Sequence, residues 1–245
     1  MMTYYFRALS SEWLKLSSSR IWLHLLLSPL LALLISIGNG APESDMPWHV
    51  LAGTMTSVHA LLFLPILTGI FGAMICRYEH ASGGWKQLLV TPVSRTALYC
   101  AKLTVVAILI GGVQLLFLAA VFSAGWYYGV HAPLPWDMLS TSLLGGWAAC
   151  LPLAALQLLL STIWSSFAAP LALNVVFTIP NMLVANSVQY APYYPWAQPL
   201  LAMVPSGETG FGAFVVPLQT WMLMVMGGFI LFFAAGLVYI QRKEV

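Results

Sequence analysis

A chain of 245 residues that is 60% hydrophobic and 7% charged, with a mean hydropathy of +0.88, is not a water-soluble domain, since such domains carry about a quarter charged residues. Its net charge of +2 gives no reason to expect nucleic acid as a partner, and Cys76, Cys100 and Cys150 fall in no CxxC or Cys/His spacing, so neither a disulfide framework nor a metal site organises it. Once spans of about 20 residues are laid across a bilayer core of about 30 Å, too little chain remains for a soluble domain. Residues 1–245 therefore read as a single membrane domain.

The first 20 residues place Met2, Tyr5, Phe6, Leu9, Trp13 and Leu16 within about a 100° arc of a helix, with Arg7, Ser10, Ser11, Lys15 and Ser18 opposite. Leu14 is the exception. That pattern predicts a helix lying in the membrane interface and leading into the first span; a polar lead of this length does not read as a secretory signal. Apolar segments follow at about 21–38, 50–75, 103–128, 138–163, 168–188 and 215–240, and each reads as a transmembrane helix, because a backbone exposed to lipid must satisfy its own hydrogen bonds. The fold class is an all-α membrane protein with six transmembrane helices. Pro29, Pro65, Pro152, Pro170 and Pro180 are expected to bend spans rather than break them. His24 and His59 lie in or near spans without a carboxylate partner and read as packing or interface residues.

The basic residues set the orientation. All nine lie in segments that six spans place on one side: Arg7, Lys15 and Arg20 in 1–20; Arg77, Lys86, Arg95 and Lys102 in 76–102; Arg242 and Lys243 in 241–245. The turn at 164–167 falls on that side too. The opposite segments, 39–49, 129–137 and 189–214, hold Glu43, Asp45, Asp137 and Glu208 and no Lys or Arg. The positive-inside rule then puts both termini in the cytoplasm. No predicted span contains Asp, Glu, Lys or Arg, which disfavours an ion-driven carrier. No GxSxG, HExxH or paired carboxylates give a hydrolase an anchor, so the chain reads as a non-enzyme. The polar groups inside spans, Gln114, Gln157, Asn174 and Asn181, either line a path or bond helix to helix. The outer segment 189–214 is dense in Pro, Tyr and Trp, as headgroup-level aromatics would be.

The stretch RYEHASGGWKQLLVTPVSRTALYCAK, residues 77–102, is the longest polar interruption. Gly83 and Gly84 give a flexible break, 85–90 makes about two helical turns, and Thr91-Pro92 reads as an N-cap followed by proline at the first position of a new helix. The product is a short amphipathic helix under the membrane, presenting Trp85, Lys86, Leu88 and Leu89. A solvated loop anchored by Trp85, with basic residues present only for topology, fits the same residues. The glycine pair before Lys86 is no phosphate loop, because the chain has no GxxxxGK[ST] and no room for an αβ domain around it.

Six spans with both ends inside, an interfacial N-terminal helix, and a second-to-third loop of the form E-x-x-x-G-x-W-K-x-L-L-x-x-P-x-S-R (Glu79, Gly83, Trp85, Lys86, Leu88, Leu89, Pro92, Ser94, Arg95) ending in Lys102 resemble the ABC-2 type transporter permeases, and among them the small permease subunits of lantibiotic (bacteriocin) immunity exporters. The resemblance implies an ATP-driven exporter of the bacterial cytoplasmic membrane moving an amphipathic or membrane-embedded substrate, such as an antimicrobial peptide. It implies that Glu79, Gly83, Gly84, Trp85, Lys86, Gln87, Leu88 and Arg95 form a coupling helix and its mounts, docking on separate ABC ATPase subunits that hold ATP and Mg. The chain itself would carry no cofactor. It further implies a lesser ATPase contact at the turn Trp164 to Phe167, a second permease chain, whether a copy or a paralogue, and short re-entrant helices in the outer segment. On this reading Gln114, Gln157, Asn174 and Asn181 are candidates for the substrate path. A secondary carrier or channel, and a scaffold or sensor subunit that transports nothing, are the alternatives.

Overall fold

The computed structural model of the chain describes residues 2–17, 19–80, 84–89, 94–204 and 217–243, and the regular elements among them are all helical. In chain order they are α1 (Met2–Ser17), α2 (Ile21–Asn39), α3 (Pro47–Val58), a π-helical turn (His59–Phe63), α4 (Leu64–His80), α5 (Gly84–Leu89), α6 (Arg95–Tyr127), α7 (Trp136–Ile163), α8 (Ala168–Thr178), α9 (Asn181–Val184), a 3-10 turn (Ala191–Tyr193), α10 (Gln198–Met203) and α11 (Leu218–Arg242). Five stretches of the described chain are long and apolar enough to cross a bilayer: α2, the continuous run α3 to α4, α6, α7 and α11. The fifth predicted span, 168–188, takes a different form. Pro180 has no N–H to give the carbonyl of Val176, one turn back. The helix ends at Thr178, and the four-residue α9 follows. Pro29 and Pro152 sit inside unbroken helices as expected, whereas Pro180 divides its segment.

Pro65 shows how a proline is absorbed within a span. Its ring displaces the normal bond to the carbonyl of Leu61, the helix widens into the π turn just before it, and Asn181 Nδ2 donates to Leu61 O at 2.8 Å. The next carbonyl on that face, Pro65 O, accepts from Asn174 Nδ2 at 2.9 Å. Asn174 reaches it because residue 69 is glycine; a Cβ there would overlap the Asn174 amide. Asn181 thus satisfies the one carbonyl that the proline leaves unpaired, and Asn174 adds a second tie from the broken segment one turn further on.

The core lies where α4, α6 and α7 meet, with Phe71, Tyr99, Leu109, Leu153 and Leu158 fully buried. At one end of the bundle Trp48 Nε1 donates to Ala132 O at 2.8 Å, the Tyr128 hydroxyl donates to Ser36 O and Ile37 O at 3.0 Å, and Ser142 donates to Met203 O at 2.7 Å. Trp126, 87% exposed, and Trp136 stand there as an aromatic belt. The opposite end gathers α1, the α1–α2 turn, the end of α4, α5, the start of α6, the α7–α8 turn and the end of α11. All the described basic residues are in those elements, as the charge count predicts.

Candidate functional site

At that basic end four charged side chains from three helices form a closed ring. Lys102, one-quarter of the way along the 33-residue α6, is fully buried, and Glu12 and Glu79 are 2% and 3% exposed. Lys102 Nζ pairs with Glu12 Oε2 and Glu79 Oε1 at 2.9 Å, and donates its third hydrogen bond to Ile75 O at 3.2 Å. Lys15 Nζ closes the ring, 2.7 Å from Glu12 Oε1 and 2.7 Å from Glu79 Oε1. Two cations and two anions cancel. A buried charge is tolerable only when it is paired in this way.

Helix α1 turns to make this possible. The side it presents to the protein is Ala8, Glu12 and Leu16, flanked by Tyr5 and Lys15, while Phe6 and Trp13 remain exposed. The predicted apolar arc is therefore shared: one flank packs on the protein, the rest faces outward, and the docked side is rotated by roughly a quarter turn from the centre of that arc. Lys15, expected on the outer polar side, is drawn into the ring. Tyr5 fastens the other end of α1 to α6, its hydroxyl 2.9 Å from Thr104 Oγ1.

Helix α5 rests on this ring through Trp85. The indole is buried, donates from Nε1 to His80 Nδ1 at 3.2 Å, and has Lys102 Nζ at 6.0 Å and Lys243 Nζ at 4.4 Å from its ring. His80 Nε2 lies 2.6 Å from Ser161 O, and Lys243 Nζ donates to Thr162 O at 2.6 Å, which carries the contact on to the end of α7. Burial lowers the pKa of the Lys243 ammonium below the ordinary lysine value. Gly84 allows the close seat: a Cβ would stand 2.8 Å from Tyr78 O and 2.9 Å from Glu79 Cα. Arg95, at the first turn of α6, sends its guanidinium to Gln241 O at 2.8 Å and Lys243 O at 3.0 Å, capping the C-terminal carbonyls of α11. A push on α5 thus meets α1, α4, α6, α7 and α11 together.

A sequence profile of the ABC-2 family transporter proteins matches residues 8–181, well over half of the chain. The chain belongs to that family. It is a multi-pass membrane transport subunit of the ABC-2 class. A comparison with curated proteins gives no match.

Of the residues that the resemblance assigned to coupling in this ABC-2 transporter protein, Glu79, Gly84, Trp85 and Arg95 are brought into one assembly, and Lys86 projects outward, exposed. Gln87 and Leu88 lie on α5, their side chains outside the described residues; Gly83, Thr91 and Pro92 are also outside them. The described α6 starts at Arg95, with Ser94 Oγ accepting from Ala97 N at 3.5 Å. Trp164 to Phe167 forms a turn at the same end, with Ser165, Ser166 and Phe167 exposed.

The four span amides are all buried and engaged. Gln157 Nε2 donates to Asn174 Oδ1 at 3.0 Å, where Trp196 Nε1 also donates at 2.8 Å. Asn181 holds Leu61 O and Trp196 O. Gln114 Oε1 is 3.2 Å from His59 Nε2, and His59 Nδ1 is 2.6 Å from Ser28 Oγ. In this state they are helix-to-helix ties. The sequence patterns give Glu12 no role and place Lys15 on the polar face of α1 and Lys102 at the end of the loop motif without pairing them; their partners lie up to 90 residues away, and the one signal in the sequence is an acidic residue within an otherwise basic or neutral lead.

Proposed function

We propose that this chain is the membrane-spanning permease subunit of an ATP-driven exporter, a single membrane domain crossing the bacterial cytoplasmic membrane six times with both termini inside, and that its substrate is an amphipathic or membrane-embedded molecule of the lantibiotic class. Two ABC ATPase subunits binding ATP and Mg supply the energy, and a second permease chain completes the pathway. The observation that carries this reading is the seating of α5: in a family of ABC-2 transporters, its exposed cation Lys86 faces outward while its indole, Trp85, is locked onto a ring that joins α1, α4 and α6. Such a seat converts movement of a docked ATPase into movement of several spans at once, since packed elements shift as units rather than deform continuously. The α8–α9 segment provides the fifth crossing in concert with the 3-10 turn and α10, which fold back as re-entrant elements. A substrate already dissolved in the leaflet enters between helices and needs few polar contacts, which suits the aromatic segment around Tyr190, Tyr193, Tyr194 and Trp196.

The test is growth inhibition by a panel of lantibiotics, lipids and hydrophobic drugs in cells with and without the permease and its ATPase, alongside a hydrolysis-dead ATPase. Protection against the peptides that vanishes with the dead ATPase is expected. Protection confined to small drugs, or retained with the dead ATPase, rules out active peptide export.

A further inference from the structure

Beside the α1–α2 turn lies a cleft of about 420 Å³ whose lining includes Arg20, Ile70, Met74, Arg77, Phe167 and Leu171. A second hollow of about 210 Å³ adjoins it across Arg77 and Phe167 and adds Ser161, Ser165 and Ser166. The Arg77 guanidinium stands 5.8 Å from the centre of the Phe167 ring. Two charges decide what this cleft attracts. Among the described residues the carboxylates at this end, Glu12 and Glu79, are both engaged with Lys15 and Lys102, and Arg20 and Arg77 take part in none of the ion pairs. Both arginines are exposed and both line the cleft. The lining therefore combines two cations and nearby hydroxyls with an apolar stretch formed by Ile70, Met74 and Leu171, and on α4 Ile70 and Met74 lie on the same face as Arg77, one and two turns before it. Trp13, Trp22 and Tyr78 stand exposed around it, the residue types that mark headgroup depth.

We propose that this cleft binds an anionic phospholipid, its phosphodiester held by Arg20 and Arg77 and an acyl chain laid along Ile70, Met74 and Leu171. Basic hollows between membrane helices on the cytoplasmic side suit anionic headgroups, and arginine presents a planar donor fork that matches a phosphate. A free phosphate would use the arginines and leave the apolar wall wet; a zwitterionic lipid would set its own cation against them. The lipid bridges α2, α4 and α8, three elements that the charge ring does not tie to one another. The inference needs no ATPase and does not depend on the substrate being a peptide.

The experiment is native mass spectrometry of the purified full chain, with bound molecules counted while dioleoylphosphatidylglycerol, dioleoylphosphatidylcholine or sn-glycerol 1-phosphate is titrated in. The chain should retain phosphatidylglycerol in preference to phosphatidylcholine, Arg20→Gln and Arg77→Gln should each weaken that retention about fivefold, and Lys86→Gln, an exposed cation outside the cleft, should leave it unchanged. Glycerol phosphate at the same concentration should not displace the lipid. Equal retention of the two lipids by the natural sequence, a phosphatidylglycerol preference that survives loss of both arginines, or displacement by glycerol phosphate each overturns the proposal. The comparison of lipids on the natural sequence needs no substitution, so it decides the matter if either variant fails to fold.

Discussion

Lys102 is the residue on which most of the basic end depends. It carries a full charge with no exposure to solvent, and its three hydrogen bonds go to Glu12, Glu79 and Ile75 O. Replacing it with methionine keeps much of the volume but leaves two buried carboxylates facing Lys15 alone. An uncompensated buried charge costs about 3–5 kcal/mol, so Lys102→Met should lower the thermal unfolding midpoint of the purified chain sharply. Glu12→Gln should do so as well, from the opposite sign. The double variant restores neutrality, and its loss should fall short of the sum of the single losses by about 1 kcal/mol or more; strict additivity would show that the ring is not an electrostatic unit. This ring was not legible in the sequence for a physical reason. Lysine at the mouth of a span and lysine in its wall look alike in one dimension, and only the docking of α1 against α6 converts Lys102 from a topology charge into a structural one. Glu12 was hidden similarly, since helical periodicity reports where apolar side chains point and is silent on an acid that follows a distant cation.

Among elements, α5 and the α8–α9 break differ most in what they ask of their neighbours. Helix α5 has six residues and too few turns to hold itself; its position comes from Trp85, wedged between His80 and Lys243. Trp85→Ala should leave the chain in the membrane and the partner ATPase hydrolysing ATP, while transport of the substrate falls at least tenfold, because a buried aromatic anchor contributes about 2 kcal/mol or more. Normal transport by that variant would remove α5 from the coupling path. The α8–α9 break depends instead on side-chain amides. Asn181→Leu strips the hydrogen bonds from Leu61 O and Trp196 O, and each carbonyl left bare costs about 1–3 kcal/mol, so a clear drop in thermal midpoint is expected even though a leucine suits the lipid better. The ends of the long helices were readable to within several residues, since hydropathy marks the bilayer directly: 21–38 became Ile21–Asn39 and 138–163 became Trp136–Ile163. Hydropathy reads 168–188 as one uninterrupted span because the segment stays apolar on average on both sides of Pro180. What divides it is the missing N–H of that proline together with Asn181, whose partners in α3–α4 and near Trp196 are remote in sequence.

At the scale of the whole molecule the question is how many times the chain crosses, and the structure supplies the constraints that make an answer testable. Lys243 reaches Thr162 and Arg95 reaches the carbonyls of Gln241 and Lys243, so the C-terminal end of α11, the start of α6 and the end of α7 share one side. Trp48 with Ala132 and Tyr128 with Ser36 fix the other side. Helix α7 therefore ends at the basic side, and α11, which also ends there, must begin opposite. On the proposed six-span reading the chain between Ile163 and Leu218 changes sides once, and the 17 apolar residues from Ala168 to Val184 reach about 25 Å if helical throughout, close to the hydrocarbon thickness of about 30 Å. With Cys76, Cys100 and Cys150 replaced by alanine, a cysteine at Ser44 should react with a membrane-impermeant maleimide added to intact cells. One at Ser165 should react only after the cells are opened, and one at Gln189, beyond the broken segment, should again react from outside. Gln189 labelled only in opened cells would mean that α8 and α9 dip into the membrane and return, leaving α11 to start on the cytoplasmic side. That outcome would conflict with Arg95 capping the end of α11, so the positions of Gln189 and Ser165 together decide both the crossing count and the placement of the last helix.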